Sequence, residues 1–343
     1  MKKKPFFVAE ISANHNGSFS LAKKLIKCAK ENGADAVKIQ TYTADSMTIK
    51  SSKNQFKIKD GLWKGYQLWD LYDNAHTPRK WHTKLFEYAK SIGIEIFSSP
   101  FDEDSVDFLE SLNCPKYKIA SFEMTDLNLV RKVSKTRKPI IISTGMACLE
   151  EIEETFNIAK ESGSKDITLL YCVSNYPASP SDFNLNNIKI LKNKFNCKVG
   201  FSDHSLDNQI AVLAIAAGAE VIEKHICLEN QKKGFDIEFS LKGKEINNFR
   251  KDIDNAYSLL GEKKFKRSKK EDNSKIFRRS VYVVKNIRKG EIFSNKNLRV
   301  IRPGYGVAPK FLDRILSKKS PMNIEEGTPV KIDLLKKLGL KIN

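Results

Sequence analysis

Eight short apolar runs, rich in β-branched residues, recur along the first two thirds of the chain: FFVAEIS (6–12), AVKIQTY (36–42), IEIFSSP (94–100), YKIAS (117–121), PIIISTG (139–145), ITLLYCVS (167–174), KVGFSDHS (198–205) and VIEKHICL (221–228). Each reads as a strand buried on both faces. Stretches with helical spacing lie between them. In SLAKKLIKCAKENGA, Leu21, Leu25, Cys28 and Ala29 share one face. PRKWHTKLFEYAKSIG, EDSVDFLESL, DLNLVRKVSK, CLEEIEETFNIAKESG, NLNNIKILKNKF, NQIAVLAIAAGA and KEINNFRKDIDNAYSLLG follow in the same way. Eight strand–helix pairs predict an α/β chain folded as a (β/α)8 barrel over residues 1–261. An open doubly wound sheet fits less well, because no glycine-rich phosphate fingerprint follows the first strand.

The pattern then changes. EKKFKRSKKEDNSKIFRR (262–279) has neither Gly nor Pro and is mostly charge, so residues 262–280 read as a solvated linker. Beyond it, short strands, turn glycines and one short helix predict a small β-rich domain at 281–343.

Charge and cysteines narrow the class. The 343 residues carry 60 Lys+Arg against 41 Asp+Glu, a net charge of +19. A polyanion partner is one explanation. Lysine is spread along the whole chain, however, so a generally Lys-coated surface is the better one, and no nucleic-acid partner is expected. The six cysteines include no CxxC pair and lie in apolar contexts, which suits reduced thiols in a cytoplasmic protein. No apolar run is long enough for a membrane helix. Glu10 interrupts MKKKPFFVAEIS too early for a signal peptide, so that stretch reads as the first strand.

Barrel chemistry sits at the C-terminal ends of the strands. There the sequence places Glu10, Asn14 and His15 after strand one, Lys38 and Gln40 in strand two, and Ser98 and Ser99 in strand three. Strand four brings Lys118, Ser121 and Glu123; strand five brings Ser143 and Thr144; strand six brings Ser174, Asn175 and Tyr176. Strands seven and eight end in Ser202, Asp203 and His204, and in Glu223, Lys224 and His225. Hydroxyls from five strands with two lysines suit an anionic, oxygen-rich ligand such as a phosphate with a carboxylate. His204 and His225 end neighbouring strands, so they can converge on one divalent metal with open positions. The alternative is that each imidazole only hydrogen-bonds within the strand ends. For His15 a loop-shaping role competes with ligand contact, and His76 and His82 read as helix-end or packing residues.

AEISANHNGSFSLAKKLIKCAKENGADAVKIQTY, KIASFE, STGM, YPASP, GFSDHS and GAEVIEKH resemble the sialic acid synthase family, and RRSVY, IRKGE and NLRVIRPGYGVAP resemble its antifreeze-like (SAF) C-terminal domain. The resemblance runs nearly end to end. GLWKGYQLWDLYDNAHTPRKWHTKLFEYA is similar to the pseudaminic acid synthases in particular.

The resemblance implies a transferase that condenses phosphoenolpyruvate with the open-chain aldehyde of an N-acetylated amino sugar, releasing phosphate by C–O cleavage. For the pseudaminic branch the sugar is 2,4-diacetamido-2,4,6-trideoxy-L-altrose; N-acetylneuraminate and legionaminic acid synthesis are the alternatives. It implies a metal on His204 and His225, usually Mn2+, with Mg2+ or Co2+ able to serve. It implies phosphoenolpyruvate contacts from Lys38, Ser99, Lys118, Ser121, Ser143, Ser174 and Ser202. Amino-sugar contacts follow from Glu10, Gln40, Tyr176 and Asp236, with Glu123 as an acid/base. Arg302 resembles an arginine carried by the SAF domain into the active site of the partner in a domain-swapped homodimer. CVSNYP departs from the usual pattern and leaves open whether Ser174 or Asn175 meets phosphate; KGFD around Asp236 also departs. A basic binding module for nucleic acid or polysaccharide, and a sugar-acid aldolase that releases no phosphate, are the remaining readings.

Overall fold

The computed structural model of the chain describes residues 4–176, 178–262 and 264–341. Pro177 of the YPASP motif and Lys263 of the charged run lie outside them. The chain divides into two compact units, Met1–Gly261 and Glu262–Asn343.

The first unit is a closed barrel. Its strands are β1 (Phe6–Glu10), β2 (Ala36–Thr41), β3 (Glu95–Pro100), β4 (Tyr117–Ile119), β5 (Ile140–Ser143), β6 (Ile167–Cys172), β7 (Lys198–Asp203) and β8 (Val221–Cys227). All neighbours are parallel in sequence order, and β1 pairs with β8 through Phe6↔Val221 to Glu10↔His225. A two-residue β9 (Leu241–Lys242) pairs with the end of β8. The surrounding helices are α1 (Phe19–Glu31), α4 (Arg79–Ser91), α5 (Glu103–Ser111), α6 (Leu127–Lys135), α7 (Leu149–Glu161), α8 (Asn186–Phe195), α9 (Asn208–Ala217) and α10 (Glu245–Leu260), with two short extras, α2 (Ala44–Met47) and α3 (Leu68–Ala75), between β2 and α4.

Local chemistry starts these helices. Ser18 caps α1 by accepting from the Leu21 amide, and Asp102 caps α5 by accepting from the Ser105 amide at 2.6 Å. Gly218 ends α9 at φ 111°, a left-handed position where a side chain would be strained. The strands are buried nearly throughout, and the core fills the layer between sheet and helices, as where Phe7 of β1 meets Phe249 of α10 at 5.2 Å. β4 is shorter than its apolar run. Ser121 has left the ladder, and its hydroxyl accepts instead from the Gly145 amide at 3.1 Å.

The second unit has its own core, including Val281, Val283, Phe293, Leu298, Phe311 and Ile315. β10 (Ser280–Val283) and β11 (Leu298–Ile301) pair antiparallel, and short helices α11 (Leu312–Ile315) and α12 (Ile332–Lys337) follow. The charged run contains 3-10 turns over Lys269–Phe277, which the high charge did not suggest; the Gly304 amide donates to the Ile276 carbonyl at 2.7 Å. Arg302 is exposed just after β11. The Ser280 hydroxyl holds that turn by donating to the Pro303 carbonyl at 2.8 Å and accepting from the Gly306 amide at 2.9 Å.

Candidate active site

Strand pleating decides what enters the barrel mouth, because side chains two apart share a face. Lys38 and Gln40, Ser202 and His204, and Glu223 and His225 therefore point into one cavity of about 290 Å³. Residues of the opposite parity face the helices: Ser98 donates to the Ile39 carbonyl and meets Thr41, and Thr41 meets His82 of α4 at 2.8 Å.

The floor is a cluster of buried charge. Lys38 contacts Glu10 directly and lies 3.7 Å from Glu223; Lys118 lies 3.4 Å from Glu223. Glu10 also accepts from the Ser12 amide at 2.6 Å, and Glu223 accepts from the Ser202 hydroxyl at 3.1 Å. Burial alone works to discharge both ammonium groups. At Lys38 the carboxylates of Glu10 and Glu223 overcome it, and the pKa is raised. At Lys118 burial wins over Glu223, and the pKa is lowered. Burial would raise Glu223, but Lys118 and Lys38 bring its carboxyl down to about 2. Glu123 has less help: burial raises it to about 7 against the pull of Lys118.

His204 and His225 stand 5.5 Å apart, ring centre to ring centre. The His204 Nδ1–H donates to the Val173 carbonyl at 3.1 Å, with the Cys172 thiol 3.8 Å away, so Nε2 keeps the free lone pair. His225 Nδ1 is buried without a hydrogen bond; Asp236 Oδ2 lies 3.4 Å away but out of line. Asn14 holds the Asp236 loop: it accepts from the Asp236 amide at 3.1 Å and donates to the Ile226 carbonyl and the Ser240 hydroxyl. Behind the two histidines, on the outer face, buried Lys224 donates to Asp203 at 2.9 Å and to the Ser205 carbonyl.

Among the described residues, no group of three or more His, Cys, Asp or Glu side chains forms a ready metal cage. The donor set still suits an open site. Two imidazoles converge, one presents an unbonded buried nitrogen, and Asp236 adds negative charge that the two floor lysines, already matched by Glu10 and Glu223, do not balance. A divalent cation with water or substrate completing its shell fits those residues.

A hydroxyl corner completes the polar side. A Cβ at Gly145 would collide with the Ser174 hydroxyl and lie 2.8 Å from that of Ser121, so the glycine makes room for both. Asn175 is exposed and turned to Asp182 at 3.2 Å, which leaves Ser174 as the residue facing this corner. Ser143 Oγ, Glu123 Oε2 and Glu223 Oε2 are buried without hydrogen bonds, as is His225 Nδ1. Such groups are costly to leave unsatisfied, so their gathering around one cavity marks a ligand site.

Eleven of the expected residues line this cavity: Lys38, Gln40, Lys118, Ser121, Glu123, Ser143, Tyr176, Ser202, His204, His225 and Asp236. Glu10, Ser99 and Ser174 stand one step behind, Glu10 and Ser99 against Lys38 and Ser174 against Cys172. Arg302 belongs to the second unit. His15 is buried, meeting Thr77 at 3.2 Å and accepting from the Gly17 amide, so its role is to shape the loop. Of the aromatic residues in the 61–88 segment, Trp63 and Tyr72 reach the cavity. Trp69 instead donates to Asp45 at 2.7 Å, and Trp81 packs on His15 and Phe19. The lining groups that had been given no role include Glu223, which the two-residue spacing from His225 places on the same face, and Cys172, at the end of β6.

The comparisons agree with this arrangement. The NeuB family matches residues 25–265, and the SAF domain matches residues 278–336. The chain is 46% identical to the pseudaminic acid synthase of Campylobacter jejuni, over 96% of both chains. It is 39% identical to the N,N'-diacetyllegionaminic acid synthase of the same species, over 96% of this chain and 99% of that one. The crystal structure of the N-acetylneuraminic acid (sialic acid) synthetase of Leptospira borgpetersenii superposes with a TM-score of 0.72 at 30% identity, covering 79% of this chain and 90% of the other. A barrel whose strand ends carry these lysines, hydroxyls and paired histidines, joined to an SAF domain, belongs to the NeuB family.

Proposed function

We propose that this protein is a pseudaminic acid synthase: it condenses phosphoenolpyruvate and water with 2,4-diacetamido-2,4,6-trideoxy-L-altrose to give pseudaminic acid and phosphate. The observation that carries the reading is one cavity whose lining combines buried charge and serine hydroxyls with apolar side chains, in a chain 46% identical to a pseudaminic acid synthase. N,N'-diacetyllegionaminic acid synthesis is the second reading, favoured by the 39% identity to such an enzyme.

In this reading Lys38 and Lys118 bind the phosphate and carboxylate of phosphoenolpyruvate, and Ser99, Ser121, Ser143, Ser174 and Ser202 supply hydroxyl donors. Glu10, Gln40, Tyr176 and Asp236 orient the open-chain sugar beside it. C3 of the enol ether attacks the aldehyde carbon: the C2=C3 π pair becomes the new C–C bond, the carbonyl π pair moves to oxygen, and C2 is left as an oxocarbenium ion. Glu123, protonated up to about pH 7, delivers a proton to that oxygen. Water adds to C2 and gives a proton to the Glu123 carboxylate. The tetrahedral intermediate then collapses: the C2–O bond to phosphate breaks with its electron pair leaving on the phosphate, which takes up the hydroxyl proton, and the 2-keto acid forms. When bound to His204 and His225, a divalent cation, Mn2+ or alternatively Mg2+ or Co2+, supplies Lewis-acid polarisation of the aldehyde.

Residues 1–261 are the synthase domain in this proposal, 262–280 the connection and 281–343 the SAF domain. Each subunit of a homodimer lends its Arg302 to the other's barrel, where a guanidinium suits an acetamido carbonyl. No described helix is long and apolar enough to cross a membrane, and with six free cysteines this supports work in the cytoplasm.

The test is incubation with phosphoenolpyruvate and each of three sugars: the altrose derivative, N-acetylmannosamine and the diacetamido precursor of legionaminic acid. Phosphate release and product mass identify the substrate. Highest catalytic efficiency with the altrose derivative is expected; a better rate with either of the others overturns the assignment.

A further inference from the structure

The connection between β2 and α4 leaves the barrel as an added layer, and one of its residues joins three loops. Residues 57–67 form a short antiparallel hairpin. Lys57 bridges Gln67, the Ile58 amide donates to the Tyr66 carbonyl at 2.9 Å, and the Gly65 amide donates to the Ile58 carbonyl at 2.9 Å. Near its tip Trp63 turns toward the barrel. Its indole N–H donates to the Phe235 carbonyl, in the loop after β8, at 3.0 Å. Its ring lies 5.7 Å from that of Tyr176, in the loop after β6. Neighbouring Leu62 and Tyr66 are 41% and 43% exposed, so the hairpin has little core of its own; Trp63 fastens it with the indole hydrogen bond, and the Tyr66 ring adds an edge contact to Phe235 at 6.1 Å.

The same side chain helps to form an apolar part of the cavity wall, together with Ile58, Met47, Leu71 and Phe235. Phosphoenolpyruvate presents almost only anionic oxygen and gains nothing from that wall. Methyl and acetamido groups do, because burying each apolar carbon against it removes surface from water. We infer that Trp63 is a specificity-determining residue: it walls the subsite for the carbon substituents of the amino sugar, and its indole hydrogen bond holds the 57–67 hairpin over them. The inference rests on the condensation proposed above and adds which residue reads the sugar.

The test uses full-length Trp63→Ala, Trp63→Phe and Ile58→Ser. Each is assayed by phosphate release with phosphoenolpyruvate and amino sugar varied in turn, and by mass spectrometry with the altrose derivative and N-acetylmannosamine in competition. Trp63→Ala and Ile58→Ser are expected to raise KM for the altrose derivative ~10-fold or more, within the ~10–200-fold range of a lost apolar contact. KM for phosphoenolpyruvate stays within about twofold, and the product ratio shifts toward N-acetylmannosamine. Trp63→Phe keeps a ring but loses the donor, so it retains most of the discrimination while amide exchange across 57–67 quickens. Ile58→Ser leaves the indole hydrogen bond intact and decides the role of the wall even where Trp63→Ala does not fold. Parallel rises in both KM values, or an unchanged product ratio in folded variants, overturn the inference. Failure of the wild type to prefer the altrose derivative overturns the proposed reaction instead; the KM split for the amino sugar that is turned over still judges Trp63.

Discussion

Glu123 gives the sharpest prediction, because stability and chemistry both depend on one proton. Burial moves its carboxyl from 4.5 to about 7, with Lys118 working in the other direction. At ~1.4 kcal/mol per tenfold in proton affinity, that displacement is worth about 3 kcal/mol. Glu123 lies at the cavity mouth, where water screens part of the effect, so this is an upper figure. The folded barrel holds the proton where the unfolded chain has already lost it. Stability from this group is therefore fully present below pH 4.5, declines as pH rises, and is gone above about 7. Glu123→Gln fixes a neutral side chain of the same shape. Relative to the wild type it should be equally stable near pH 4.5 and up to about 3 kcal/mol more stable at pH 8. At ~2–4 °C per kcal/mol, the barrel transition in calorimetry rises by up to ~6–12 °C at the higher pH. Titrations elsewhere are shared by both proteins and cancel in the difference. The same variant should lose ~10²–10⁴-fold in kcat, the usual worth of a positioned acid. A Tm difference that does not change between pH 5 and pH 8 would refute the reasoning.

Replacing His204 or His225 with Ala should abolish phosphate release and lower the metal content measured by mass spectrometry, while thermal unfolding remains cooperative; full activity in chelator-treated enzyme contradicts the metal assignment. Arg302→Ala should be impaired, and mixing it with His204→Ala under subunit exchange should recover activity, since one site of the mixed dimer then has both groups. No recovery means that Arg302 serves its own barrel.

The barrel was legible because strands buried on both faces read as unbroken apolar runs, and because period two carries Ser202 and His204, or Glu223 and His225, to the same face. What the strand ends could not reveal is which side chains partner each other first. Glu10 and Ser99 stand at strand ends as expected, yet both are engaged with Lys38 behind the cavity surface. Glu223 was placed at its strand end without a role, because its meaning comes from Lys118, on β4, and Lys38, on β2. The layer between β2 and α4 was the least readable. Its order comes from distant contacts such as Trp63 to Phe235, which are 172 residues apart, and no local periodicity encodes them.

The register of β7 on β8 places Ser202 opposite Glu223 and Asp203 opposite Lys224. The first pair is bonded on the inner face and the second on the outer face, so the sheet is stitched through both of its surfaces two residues and one residue before each histidine. The spacing of His204 and His225 is thus a dimension of the wall itself, held in place before anything enters. A site suspended on flexible loops would reshape itself around ions of different size. In the metal assignment proposed above this one acts as a gauge: a cation held by the two imidazoles would either match them as they stand or meet a frame that yields only if a buried ion pair opens behind it.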